Sequence, residues 1–130
     1  MLVTTIRMKP NTTRSYKDLV VWQKGIQLTK LVYGFTRSFP ADERFGVITQ
    51  MHRAAVSVPS NIAEGQARHT TGEFIQFISH AEASVAELGT QLIVCAKLTY
   101  TRAEDADALF ELISELRRML NALRRKLAGR

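Results

Sequence analysis

Between Phe45 and Ala67 the chain carries the spacing of one amphipathic helix, and Pro59 sits in its interior. A proline there removes a backbone donor and presses on the carbonyl four residues back, that of Ala55. The expected result is a helix kinked at Pro59, with one carbonyl in need of another partner. At 100° per residue, Arg53, Ser57, Ser60, Asn61, Glu64 and Arg68 share one side, while Ala55, Val58 and Ile62 share the other. Ala54, Ala55, Ser57, Ser60, Ala63 and Gly65 are small, so a neighbouring backbone can approach closely. Two readings of the polar stripe stand open. It is either a solvated face whose hydroxyls serve the orphaned carbonyl, or a surface for another subunit or a ligand. Neither nominates a reaction.

The rest of the chain reads as three more helices. The first is expected over about Asp18 to Ser38, with Asp18 at the positive end of the helix dipole and Pro40 ending it. Its apolar residues, among them Val20, Val21, Trp22, Ile26, Leu28, Leu31, Val32, Tyr33 and Phe35, cover more than one face. A helix in a solitary bundle needs one apolar stripe, so the surplus points to a second buried contact, with another subunit or under loops and tails. Trp22, three residues from Leu19 and four from Ile26, reads as a core or interface anchor rather than a base-stacking platform. Asp42 and Glu43 supply acid for the first turn of the Pro59 helix, whose core line is Phe45, Ile48, Met51, Ala55, Val58 and Ile62. Gly65 and residues 68–72 read as the next turn.

Thr70 with Glu73, and Thr101 with Glu104, have the spacing of capping boxes opening two further helices. Down the first of these, Phe74, Phe77, Ala81, Val85, Leu88, Leu92 and Cys95 recur at steps of three and four. Down the second, Leu109, Leu112, Leu116, Leu120, Leu123 and Leu127 do the same. These are bundle seams. An all-α, antiparallel up-down-up-down four-helix bundle is the simplest architecture, with a flexible basic arm over residues 1–15, the bundle over 16–127 and a basic tail end at 128–130.

At 130 residues, 45% hydrophobic and 23% charged, the chain suits one globular domain and not wholesale disorder. No apolar run approaches the ~20 residues of a membrane span, and MLVTTIRMKP lacks a secretory core, so no membrane partner and a cytoplasmic location are expected. Cys95, the one cysteine, lies on an apolar face and reads as a buried, inert thiol. There is no P-loop, G-x-G-x-x-G, G-x-S-x-G or C-x-x-C motif. None of His52, His69 and His80 follows a glutamate by three residues, as di-iron bundles require. The expectation is a protein that is not an enzyme, with no cofactor, no metal and no evident small-molecule substrate.

The net charge of +6 is unevenly placed. Arg7, Lys9, Arg14 and Lys17 lie in the first 17 residues, and Arg117, Arg118, Arg124, Arg125, Lys126 and Arg130 in the last 14, with no acid in either stretch. The remaining eight bases face twelve acids, so the body is about −4 and the ends about +10. Such ends suit RNA or DNA phosphates, bound without regard to sequence and in a salt-dependent way, or serve simply as solubilising tails.

The run SVPSNIAEG from Ser57 to Gly65, with DLVVWQK from Asp18 to Lys24, Phe39-Pro40, Phe45-Gly46 and Glu73-Phe74, resembles the four-helix-bundle proteins encoded in intervening sequences of bacterial 23S rRNA genes. The resemblance covers about Tyr16 to Tyr100. Ala83-Ser84 departs mildly from the Gly-Ser common in that family, and close helix packing stays compatible with it. It implies a ring-like homopentamer and, more distantly, a similarity to the nucleic-acid-binding accessory proteins of diversity-generating retroelements. It also marks Trp22, Arg53, Ser57, Pro59, Ser60, Asn61, Glu64, Gly65 and Arg68 as motif or interface residues. It implies no assigned biochemical role.

Overall fold

The computed structural model describes residues 15–43 and 46–129, and among these it contains helices and no strand. Four helices form the body: α1, Val20–Phe35; α2, Val47–Gln66; α3, Thr71–Lys97; and α4, Ala103–Ala128. Their apolar faces meet in one core, in which Leu28, Val32, Met51, Ala55, Val58, Ile62, Ile78, Ala81, Leu92, Cys95, Leu116 and Leu120 are wholly buried. The seam residues expected from the heptad-like spacing therefore lie inside, with Phe74 and Leu123 half-buried at its margin, except that Phe77 is half-buried against Gly65 and under Arg68. The arm expected over residues 1–15, apart from Ser15, lies outside the described residues, as do Arg44, Phe45 and Arg130.

The first helix is shorter than its spacing predicts. Ser15 accepts a hydrogen bond from the Lys17 amide and opens a 3-10 turn, Tyr16–Asp18, after which Leu19 is extended. At the other end a 3-10 turn, Thr36–Ser38, precedes Phe39, which Pro40 holds extended at φ −71 and ψ 154. Asp42 and Glu43 do not enter α2; they sit in a separate turn, Ala41–Glu43. Glu43 Oε2 there accepts from the Tyr100 hydroxyl at 2.7 Å, tying the α1–α2 connection to the α3–α4 connection.

Helix α2 runs through Pro59 without a break in its assignment, and the proline is buried. The chain solves the two problems that proline creates with residues of α1. Gly25 lies against the ring: a Cβ there would stand 3.2 Å from Pro59 Cβ and 3.3 Å from its Cδ, tighter than ordinary contact, so a side chain would press the two helices apart. Thr29 Oγ1 lies 3.2 Å from the Ala55 carbonyl, the acceptor left over because Pro59 has no N–H. The same hydroxyl lies 3.0 Å from the Gly25 carbonyl, which already has a helical partner, so Ala55 is the acceptor that needs it. Further along the pair, Tyr33 stacks on His52 with ring centroids 3.7 Å apart.

Gly65 is not part of the turn. It lies buried within the last turn of α2, where a Cβ would fall 2.8 Å from Phe77 Cβ and 2.9 Å from Phe74 Cδ1, so it marks close approach to α3. From there the α2–α3 contacts step through Ser57–Ser84 to Met51–Cys95. The Thr70–Glu73 cap forms, with the Glu73 amide donating to Thr70 Oγ1 at 3.1 Å, although the Thr70 hydroxyl rather than its amide meets the Glu73 carboxylate. The Thr101–Glu104 cap does not form: α4 begins after Arg102, which instead pairs with Asp105 at 3.4 Å. The chain turns there through Thr99 at φ 60, with its amide bonded to Ala96 and that of Tyr100 to Cys95, a helix ending usually given to glycine.

Replacing Thr29 by Val keeps the shape and removes the donor, stranding the carbonyl of a fully buried Ala55. We expect a loss of about 1–3 kcal/mol by chemical denaturation. In a Pro59→Ala background the restored amide serves that carbonyl, and the cost of Thr29→Val should fall by about 1 kcal/mol. Equal costs in both backgrounds would contradict the assignment.

Candidate functional site

The basic C-terminal half of α4 divides in two. Arg124 is drawn inward, its Nε 2.8 Å from Glu82 Oε1 on α3, and both side chains are mostly covered. Arg117, Arg118, Arg125 and Lys126 are exposed and form no ion pair among the described residues. Arg117, Arg118 and Arg125, with Asn121 and Ala122, line a shallow depression of about 560 Å³. Buried Leu116, Leu120 and Leu127 hold the opposite side of the same turns, which fixes where these cations stand. Asn121 was hidden from residue-type reasoning. Its signal is its register, four residues after Arg117 and four before Arg125. Lys17 is half-buried, with Nζ 5.8 Å from the Tyr16 ring centroid. Arg7, Lys9, Arg14 and Arg130 lie outside the described residues.

The polar stripe of α2 is not a single surface. Its inner edge belongs to the α2–α3 seam: Ser57 and Ser84 share a short hydroxyl–hydroxyl bond, and Asn61 Nδ2 donates to the Ser57 carbonyl at 2.8 Å and to its Oγ at 3.1 Å. Its outer rim, Arg53, Ser60, Glu64 and Arg68, is exposed. Arg68 lies 3.9 Å from Glu64 and stands over the Phe77 ring at 4.7 Å. Arg53 has no ion pair among the described residues and lies between two depressions, one toward Gln50, Ser57 and Glu87 and one toward Tyr33, His52 and Val56. The orphaned carbonyl is thus served from α1 and not by the stripe's own hydroxyls.

Trp22 is half-buried against the core and meets Tyr16 edge-on at 5.3 Å. Apolar surface nevertheless remains open, with Val20 56%, Tyr33 44%, Val56 42% and Leu98 51% exposed, alongside Ile26, Leu31, Ile93 and Val94. The surplus read in α1 is therefore not covered by any described loop.

The titratable groups divide by environment. Cys95 is buried, its thiol 3.7 Å from Met51 Sδ, and burial followed by the charge of Glu43 pushes its pKa up, which keeps it a thiol. His52 Nε2 lies 2.9 Å from Thr36 Oγ1, and burial lowers its pKa from the ordinary 6.5. Thr36 Oγ1 also lies 3.3 Å from the Tyr33 carbonyl, and the direction of its bond to His52 follows the imidazole tautomer. Among the described residues no three of His, Cys, Asp and Glu gather closely enough to hold a metal. No helix there is long and apolar enough to cross a membrane.

These elements define an all-α protein of four helices, with Arg117, Arg118, Arg125 and Lys126 exposed on the second half of the fourth. The family model of the 23S rRNA-intervening sequence protein matches residues 17–122, and the chain belongs to that family. The match takes in Arg117, Arg118 and Asn121 and stops short of Arg125 and Lys126. No curated protein matches the chain.

With His52 neutral in the fold, its contribution to stability is fully present above the ordinary 6.5 and is lost as pH falls through the lowered folded value. We expect denaturation midpoints to drop between about pH 7 and pH 5, with a smaller drop in His52→Gln. An identical drop in both would contradict a folded-state shift.

Proposed function

We propose that this protein is a non-enzymatic, oligomeric helical bundle that binds RNA or DNA through its basic ends. The observation that carries the reading is the segregation of charge. Arg117, Arg118 and Arg125 stand exposed around one depression, while acids outnumber bases in the body. Phosphates are the natural counterpart of such a face, since each neutralised phosphate releases condensed counterions. The four helices run up-down-up-down and antiparallel in this proposal, because contacts that climb α1 from Gly25 to Tyr33 descend α2 from Pro59 to His52. Gly65–Phe77 to Met51–Cys95 and Glu82–Arg124 support the same sense for the later pairs. A bend at Pro59 and a cytoplasmic location belong to the same reading.

Assembly is proposed from the uncovered apolar surface. Tyr33 with Val56 lies on the α1–α2 side and Ile93, Val94 and Leu98 on α3, so the two patches do not coincide. Distinct patches that meet head-to-tail close into a ring when the rotation permits. A homopentamer is the ring the family resemblance suggests. Several copies would then multiply weak phosphate contacts by raising the local concentration of basic ends.

A second reading, a protein-interaction module with no nucleic-acid partner, is favoured by Arg53, which faces two depressions without an ion pair among the described residues. Filter binding of RNA and DNA at two salt concentrations separates the readings. We expect binding that weakens steeply with salt and is lost when residues 1–14 and 124–130 are deleted. Undiminished binding after the deletion would remove the terminal assignment, and loss of partner capture in Asn61→Ala or Glu64→Ala, without salt-sensitive binding, would favour the second reading. Light scattering at micromolar protein should give several times the 14.6 kDa of one chain; a 14.6 kDa particle would remove the assembly.

A further inference from the structure

We propose that the α4 arginine face holds the phosphate backbone of a double helix, not a single strand. This rests on the nucleic-acid reading above and narrows it. Arg117, Asn121 and Arg125 recur every fourth residue, with Arg118 beside them, so the cations span about 12 Å of helix axis. A strand within a duplex carries one phosphate per about 3.4 Å of axis and winds as it rises, so each of the three exposed arginines can meet a phosphate of one backbone. The footing is rigid: Leu116, Leu120 and Leu127 are locked in the core, and the Arg124–Glu82 pair at 2.8 Å clamps the same turns to α3. Fixed cations suit the fixed backbone of a duplex.

Sequence-tolerant binding of single strands depends on aromatic side chains on which unpaired bases stack. The depression is lined by Arg117, Arg118, Asn121, Ala122 and Arg125, none of them aromatic. Tyr33, the one exposed Phe, Tyr or Trp among the described residues, instead lies beside His52 and Val56 in a separate depression. The acids Glu104, Asp105, Asp107 and Glu111 are exposed on the first half of α4 and repel phosphate there, which confines the backbone to the last turns.

The test is fluorescence anisotropy of the full chain with two unrelated DNA duplexes, an RNA duplex and their separated strands, at 50 and 200 mM salt. Duplexes should bind at least about tenfold more tightly than their strands. The triple variant R117A/R118A/R125A should lower the slope of log affinity against log salt on DNA duplex by about 2.7, at about 0.9 per phosphate lost. The triple lysine variant, which keeps the charges, should retain duplex binding and shows that the alanine loss is not unfolding. Single strands bound as tightly as duplexes, or an unchanged slope in the alanine variant, would overturn this inference while leaving nucleic-acid binding through other bases in place. Absence of binding to every probe would overturn both.

Discussion

A proline ring lying against a helix that has no side chain at the point of contact is the joint on which this bundle depends. Proline inside a helix costs about 3 kcal/mol relative to alanine and glycine about 1, so Pro59 and Gly25 are each poor choices alone. Together they bring α1 and α2 close enough for Thr29 to reach the carbonyl that the proline strands. Around that joint Leu28, Met51, Ala55, Val58 and Ile62 lose all contact with solvent. The hydrophobic return on their burial, about 1.5–3 kcal/mol for each large side chain, outweighs the local costs.

The same helix is held as tightly on its other side. Ser57 bonds Ser84, Asn61 bonds Ser57, and Gly65 lets α3 approach through Phe74 and Phe77. Much of the small and polar run around Pro59 is thereby spent on packing α2 between two neighbours. What remains for a partner is the rim of Arg53, Ser60, Glu64 and Arg68. The family whose model the chain matches carries no assigned activity, and the arrangement explains why the motif itself names none: its chemistry is largely that of close helix packing. Charge follows the helices in the same way. In α4 the acids precede the bases, which suits the helix dipole, and the leucines face inward, so the order that stabilises the helix also leaves Arg117, Arg118, Arg125 and Lys126 exposed on its second half.

The seams of α3 and α4 were legible because apolar residues recur there at steps of three and four, and every member but Phe77 lies in or beside the core. Helix ends were less so. Thr70–Glu73 caps its helix, yet Thr101–Glu104 has the same spacing and does not, because the chain leaves α3 through Thr99 at positive φ and starts α4 after Arg102. Gly65 looked like punctuation and is a contact, a distinction that depends on Phe77 from another helix. Thr29 was invisible as a partner for Ala55, being 26 residues away in sequence. At the candidate site the charges were legible one by one. That Arg124 is drawn in was not, since its partner Glu82 stands on another helix, while Arg125 has no ion pair among the described residues.

Two glycines of α1 offer the most direct trial of the joint. Gly34 has nothing within 4 Å of where a Cβ would stand, whereas at Gly25 that position meets Pro59 at 3.2 Å. Both should be measured as alanine variants by chemical denaturation. Gly34→Ala should stabilise by up to about 1 kcal/mol, as expected of an open helical position, and Gly25→Ala should destabilise by about 1–2 kcal/mol as the helices are forced apart. Equal stabilisation by the two substitutions would contradict the account, because it would mean that α1 and α2 do not meet at the proline.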